Sequence, residues 1–221
     1  MSTGFSITEE NYIKAIFHLQ QVSGKVNTND LAASLRTKPA SVTDMLKKLK
    51  AKLLIHYKPY QEFSLTVKGN KIALSIVRRH RLWECFLVDK LKFGWDEVHD
   101  VAEELEHVGS KKLIDQLDLF LGYPKVDPHG DPIPDGNGKM NIPVHISLID
   151  LPVNKNAEIT AVGNQSTDLL EILTHKKINI GTKLEVKKKF SFDDSLEIKI
   201  KNHSPFIMSA QLAKTLFVKL I

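Results

Sequence analysis

Two stretches of the chain, 79–84 (Arg-His-Arg-Leu-Trp-Glu) and 99–107 (His-Asp-Val-Ala-Glu-Glu-Leu-Glu-His), concentrate imidazoles and carboxylates at helical spacing. Residues four apart on a helix share a face, so His80 and Glu84 point together, and His99, Glu103, Glu106 and His107 form a second stripe. Imidazole nitrogen and carboxylate oxygen are the donors that hold divalent first-row cations. The first stretch is apolar around its polar pair (Leu82, Trp83, Phe86, Leu87), which predicts packing rather than solvation. A packed charge without a partner costs several kcal/mol, and a bound cation would supply that partner. One such pair alone reads as a solvated helix face; two in close succession read as a metal site. His18, His56, His145, His175 and His203 lack any such pattern and receive no role.

The elements that must position these residues follow from length and charge. The chain has 221 residues, 42% of them apolar, enough for two or three domains with real cores. It contains no run of eighteen apolar residues, and its start (Met1-Ser2-Thr3-Gly4-Phe5) has no basic patch followed by an apolar stretch, so neither a membrane span nor a signal peptide is expected and the reading is cytoplasmic. A single cysteine, Cys85, excludes an intramolecular disulfide framework and fits a reducing compartment. The net charge of +5 is unevenly spread: residues 36–90 hold 13 Lys/Arg against 4 Asp/Glu, whereas residues 96–118 hold 8 acids against Lys111 and Lys112. The basic part seeks an anion.

Within the basic part, Thr8 is the expected cap of a first helix carrying Tyr12, Ile13, Ile16, Phe17 and Leu19. Asn29 caps a short one with Leu31, Ala32 and Leu35, and a third begins at Lys38-Pro39 with Val42, Met45, Leu46, Leu49 and Leu53 on its apolar face. Segments 54–57 and 63–66 flank the turn Lys58-Pro59-Tyr60-Gln61 as a hairpin, which makes a winged helix-turn-helix. Arg36, Lys38, Pro39, Ser41, Thr43, Asp44, Lys47 and Lys48, on or beside the third helix, and Lys58 and Tyr60 at the hairpin tip are the candidate DNA-contacting residues, amines and hydroxyls suited to phosphates and to base edges in a major groove. Thr66 caps a long helix ending near Gly94, Asp96 the next, ending near Gly109, and Ser110 a further one; their surplus of apolar positions predicts self-association. From Asp127 to Asn141 the composition turns to Pro, Gly and Asp, an expected linker, and beyond it strands at 144–148, 157–162, 183–186 and 196–200, with a helix from Asp168 to His175 capped by Thr167, predict a small β-barrel.

The chain resembles the metal-dependent repressors of the diphtheria toxin repressor and manganese transport regulator family over essentially its whole length. The resemblance rests on Pro39-Ala40-Ser41-Val42-Thr43, Leu65-Thr66-Val67-Lys68-Gly69, Arg79-His80-Arg81-Leu82 with Glu84, Val98-His99-Asp100, Glu106-His107-Val108 and the stretch 128–134 (Pro-His-Gly-Asp-Pro-Ile-Pro). It implies a mainly α chain with a C-terminal β domain: residues 1–73 a winged helix-turn-helix DNA-binding domain, 74–141 a helical dimerisation and metal-binding domain with the Pro-rich linker, and 142–221 an SH3-like (FeoA-like) β-barrel. It further implies two metal sites per subunit. The regulatory one takes Glu103, Glu106, His107 and, from the first helix, Asn11, where manganese-type relatives have aspartate and iron-type relatives methionine. The second takes His80, Glu84 and His99 with His129 and Asp127 from the linker, Asp127 replacing a cysteine, and Asp168 or Glu171 from the barrel. Oxygen donors in place of sulfur favour Mn2+ or Fe2+, manganese slightly ahead.

The implied function is a homodimeric, non-enzymatic repressor of metal-uptake genes, bound to a near-palindromic operator on double-stranded DNA when metal favours the DNA-competent dimer. Two other readings stay open: a winged-helix regulator without metal control, which Asn11 and Lys14 support, and a di-metal hydrolase, which would leave the basic winged unit without a task.

Overall fold

A computed structural model describes residues 4–141, 143–163 and 165–221. Residues 1–3, the head of the expected first domain, and Ile142, the first residue of the expected barrel, lie outside the described residues. Helix α1 (Ile7–Ser23) starts from a capping box: the Ser6 hydroxyl accepts from Glu9 N at 3.2 Å while the Glu9 carboxylate accepts from Ser6 N at 3.0 Å. Two orphan N–H groups are satisfied at once, which is why Ser6 caps and Thr8 does not. Helix α2 (Thr28–Ser34) is likewise capped two residues earlier than expected, by Asn27, whose Oδ1 accepts from the N–H groups of Asn29 and Asp30. Helix α3 (Pro39–Ala51) opens on Pro39, where a missing N–H costs nothing. It stops before Leu53, which sits at φ 60° and is exposed rather than on the apolar face.

Strands β1 (Ile55–His56) and β2 (Ser64–Leu65) pair antiparallel to form the wing, widened by a bridge between Val26 and Phe63. The Thr66 hydroxyl then accepts from Gly69 N at 3.1 Å at the start of α4 (Val67–Asp89). Gly69 is required there, because a Cβ would stand 2.1 Å from the Leu54 carbonyl oxygen. Helix α4 ends at Asp89, short of Gly94, and α5 (Val98–Leu105) ends short of Gly109, so Glu106 and His107 lie on the turn after α5 rather than on its face. Helix α6 (Lys111–Phe120) is capped by Ser110 as expected.

The chain divides into two compact units, one of Met1–Trp83, Ala102–Tyr123 and Pro134–Met140, the other of Glu84–Val101, Pro124–Ile133 and Asn141–Ile221. The core of the first gathers Ile13, Ile16, Leu31, Val42, Leu46, Leu49, Leu54, Phe63 and Ile76, all essentially inaccessible to water. Burying side chains of this size contributes about 1.5–3 kcal/mol each before entropy is set against it.

The second unit is built on a six-stranded antiparallel sheet in the order β3-β8-β4-β5-β6-β7. Its strands are β3 (Ile146–Ser147), β4 (Asn156–Val162), β5 (Lys183–Lys189), β6 (Leu196–Ile200), β7 (Phe206–Met208) and β8 (Leu216–Leu220). Register shifts at Ile159/Ala161 and Val186/Lys188 increase its local twist. The edge strands β3 and β7 have only two and three residues. Helix α7 (Thr167–His175), preceded by Ser166 at the cap position, and α8 (Ala210–Thr215) accompany the sheet. The stretch read as a linker is folded: Asp127, His129 and Ile133 are buried in the second unit, and the Pro134 carbonyl accepts from Arg78 in the first at 2.9 Å. Short Asp-, Pro- and Gly-rich sequences make tight turns as readily as free linkers, and here side-chain-capped turns fix them.

Candidate metal centre

The residues singled out from the sequence fall into two clusters. In the first unit, α1 brings Glu10 and Lys14 against the end of α5. Lys14 Nζ lies 2.9 Å from Glu103 Oε1 and 2.9 and 2.8 Å from the two oxygens of Glu106. His80 Nδ1 is 2.7 Å from Glu106 Oε2, and His107 Nδ1 is 2.7 Å from Glu10 Oε2. Arg79 donates to Glu10 Oε1 at 3.0 Å and to the Glu106 carbonyl. The Glu106 side chain is fully buried, and burial alone would raise its pKa. The hydrogen bond from His80 and the charge of Lys14 prevail and hold it below the usual carboxylate range.

This cluster differs from the sequence reading in its α1 residues. His80, expected with Glu84 and His99, also serves Glu106. The α1 residues whose bonds join the network are Glu10 and Lys14, whereas Asn11 was the expected contributor. The signal was available: Glu10 and Lys14 are four apart and share a helix face, but their partners are distant in sequence, 89 and 92 residues away for the Lys14 contacts. As a divalent-ion site the cluster fits poorly, since an ammonium already stands between two of the expected carboxylate ligands.

The second cluster lies in the second unit, on α4, α5 and the loop 124–133. Asp127 Oδ1 accepts from His129 N at 2.8 Å and Asp131 N at 3.0 Å, closing a tight turn. Gly130, at φ 91°, lets the turn press onto β4: a Cβ there would be 2.1 Å from the Thr160 carbonyl oxygen. The His129 carbonyl accepts from Val162 N at 2.9 Å, so the loop is docked by main-chain bonds. His129 is fully buried, its ring stacked on Trp95 at 6.0 Å between centroids.

The orientation of His129 gives the site its chemistry. Its Nε2 is 2.7 Å from the Trp95 carbonyl oxygen, which can only accept, so Nε2 carries the hydrogen. Nδ1 makes no hydrogen bond; it faces Glu84 Oε1 and Asp127 Oδ1, each at 3.9 Å. Glu84, Asp127 and His129 each offer one ligand atom within 4.8 Å of the others, and all three are buried. His99 Nδ1, half-exposed, approaches Glu84 Oε1 at 3.6 Å. A cation bound at about 2.0–2.3 Å from each donor spans separations of about 3–4 Å. A main-chain carbonyl fixing the imidazole tautomer from behind is the usual outer support of a histidine ligand. These residues fit a divalent ion. His80 precedes Glu84 by one turn of α4. Asp168 and Glu171 stand exposed on α7, outside this convergence.

The candidate DNA face is solvent-exposed at Arg36, Lys38, Pro39, Ser41, Asp44, Lys47, Lys48, Lys58 and Tyr60 and partly exposed at Thr43. Asp44 is paired with Lys47 at 3.1 Å, and Thr43 Oγ1 donates to the Pro39 carbonyl at 3.0 Å. Tyr57, by contrast, is buried edge-on against Phe63 and is a core residue of the wing.

Comparison with known proteins agrees with these features. Residues 5–63 match the iron dependent repressor N-terminal DNA binding domain, residues 66–135 the iron dependent repressor metal binding and dimerisation domain, and residues 146–220 the FeoA domain. The chain is 27% identical over 192 residues to the diphtheria toxin repressor of Corynebacterium glutamicum, covering 81% of this chain and 83% of that protein. It is 35% identical over 118 residues to the transcriptional regulator MntR of Oceanobacillus iheyensis, covering 53% of this chain and 80% of that protein. The match to the iron-dependent repressor IdeR of Mycobacterium leprae, 31% over 127 residues, spans 55% of that protein. Among solved structures, a manganese-dependent transcriptional repressor in complex with manganese superposes with a TM-score of 0.85 at 30% identity over 96% of this chain and all of that one. By these matches the chain belongs to the diphtheria toxin repressor and manganese transport regulator family of metal-dependent transcriptional repressors.

Proposed function

We propose that the chain is a Mn2+- or Fe2+-dependent, DNA-binding, non-enzymatic repressor of metal-uptake genes, working in the cytoplasm as a homodimer on a near-palindromic operator. The observation that carries the metal reading is the buried, hydrogen-bond-free Nδ1 of His129 facing the carboxylates of Glu84 and Asp127. With His99 they form an oxygen- and nitrogen-only donor set, which favours harder ions over those that select thiolate. Of the two sites the family resemblance implies, this is the one whose donors fit.

The same residues suggest how ion and DNA are linked. Glu84 sits 17 residues from the start of α4, about 26 Å along a helix that begins directly behind the wing. An ion held by Glu84, His99, Asp127 and His129 restrains the far end of that helix. A restraint that differs between DNA-competent and incompetent arrangements shifts their populations. When bound, the ion supplies positive charge that relieves the repulsion between buried carboxylates; the chain's own residues supply the rigid frame.

At the DNA, Lys38, Lys47, Lys48, Lys58 and Arg36 are placed for phosphate contacts, with Ser41, Thr43 and Asp44 on the helix that enters the groove and Pro39 and Tyr60 at its margins. Leu113, Leu119 and Phe120 of α6, each 41–62% exposed, support a self-association surface. Footprinting of the chain's own promoter with manganese tests this reading: two symmetric protected half-sites about one helical turn apart are expected, and a single asymmetric footprint would contradict the dimer.

A further inference from the structure

The ammonium group in the first cluster is where this chain departs from a two-ion design. Three carboxylates, Glu10, Glu103 and Glu106, are brought together there. Each already has partners: Arg79 and His107 for Glu10, Lys14 for Glu103, and Lys14 with His80 for Glu106. The Lys14 side chain is only 13% exposed, so its charge is directed inward rather than into solvent. It straddles both oxygens of Glu106, the one fully buried carboxylate of the three. A divalent ion entering between Glu103 and Glu106 would have to displace this ammonium and leave it buried beside a doubly charged neighbour. Asn11 brings no negative charge to offset it. The second cluster differs: Glu84, Asp127 and His129 each offer a ligand atom within 4.8 Å of the others, and His129 Nδ1 makes no hydrogen bond.

We propose that Lys14 is the resident cation of the first cluster, so that α1 is tied to the end of α5 without metal and each chain takes up one divalent ion, at Glu84, Asp127 and His129. The inference rests on the ion-binding reading above, and the two are separable. Three proteins are dialysed to equilibrium against the same excess of free Mn2+, and bound manganese per chain is counted by elemental analysis: the full-length wild type, Glu84→Gln and Lys14→Gln. The expected counts are one, none and two. A wild type holding two ions, with one retained in Glu84→Gln, would overturn the role of Lys14 while leaving ion binding intact. A wild type holding none, with one gained in Lys14→Gln, would overturn the Glu84 site and sustain the role of Lys14. If Lys14→Gln fails to fold, the wild-type and Glu84→Gln counts still decide, because any ion left in Glu84→Gln refutes the inference.

Discussion

Replacing Glu84 by Gln removes one buried carboxylate from the Glu84–Asp127–His129 convergence while keeping nearly the same volume, and its effect should depend on metal. In the presence of Mn2+ at about a hundred times its dissociation constant, an ion bound only by the folded state adds about 2.7 kcal/mol of stability. For a chain of 221 residues, 1 kcal/mol moves the midpoint by about 2–4 °C, so manganese should raise the unfolding temperature of the wild type by about 5–11 °C. Glu84→Gln should lose nearly all of that rise. With chelator that difference should vanish: the side chain is 1% exposed and the amide keeps its volume, so the variant should be as stable as the wild type to within about 1 kcal/mol. Differential scanning calorimetry of both proteins, each with chelator and with Mn2+, reads all four states. If Glu84→Gln kept the full manganese shift, the ion would sit elsewhere; if it lost more than about 2 kcal/mol with chelator alone, Glu84 would be a structural hydrogen-bonding residue instead.

Other perturbations address the supports of the account. Gly130→Ala adds a Cβ against β4 at a positive φ, and overpacking with backbone strain should cost about 2–4 kcal/mol and weaken manganese binding together, as calorimetry and dialysis would show. Glu9 closes the α1 capping box and faces Lys52 at 2.6 Å; burial raises its pKa, but the Lys52 hydrogen bond and charge lower it overall. A carboxyl whose pKa is depressed on folding stabilises above its unfolded value and loses that contribution as pH falls, so Glu9→Gln should cost about 0.5–1 kcal/mol at neutral pH and nothing once the carboxyl is protonated, measurable by urea titration across the acid range. Lys58→Ala at the wing tip should weaken binding to all DNA sequences alike and lower the slope of log affinity against log salt by about one, whereas Ser41→Ala should change the preference among sequences.

Much of the first unit was legible because its signals are local. The 3.6-residue apolar pattern gave α1 and α3, Pro39 fixed the start of α3, and the turn between two short strands gave the wing. Errors at boundaries have local causes too: Ser6 and Asn27 cap in place of Thr8 and Asn29 because their side chains reach two free N–H groups each or close a reciprocal box. The sheet was half legible. Strands β4 and β6 alternate clearly, but β7 has three residues and β8 opens on three consecutive apolar residues, Leu216, Phe217 and Val218, so neither shows a period of its own.

The grouping of Glu84 with His99, Asp127 and His129 came from the family resemblance, whereas helical spacing alone misled. His99, Glu103, Glu106 and His107 look like one stripe, yet α5 stops at Leu105, so His99 turns to Glu84 while Glu103 and Glu106 meet Lys14. Composition made 127–141 resemble a linker, because Pro, Gly and Asp serve tight buried turns and free segments alike. What sets the tautomer of His129, the carbonyl of Trp95, is a main-chain group and leaves no trace in the sequence.

The central claim is that a divalent ion favours the DNA-bound form. Fluorescence anisotropy with a labelled fragment of the chain's own promoter, at one fixed salt concentration, tests it most directly. The account predicts affinity at least tenfold higher with Mn2+ or Fe2+ than with chelator, a coupling of about 1.4 kcal/mol or more, and no such gain in Glu84→Gln. Equal affinity of the wild type in both conditions would contradict it.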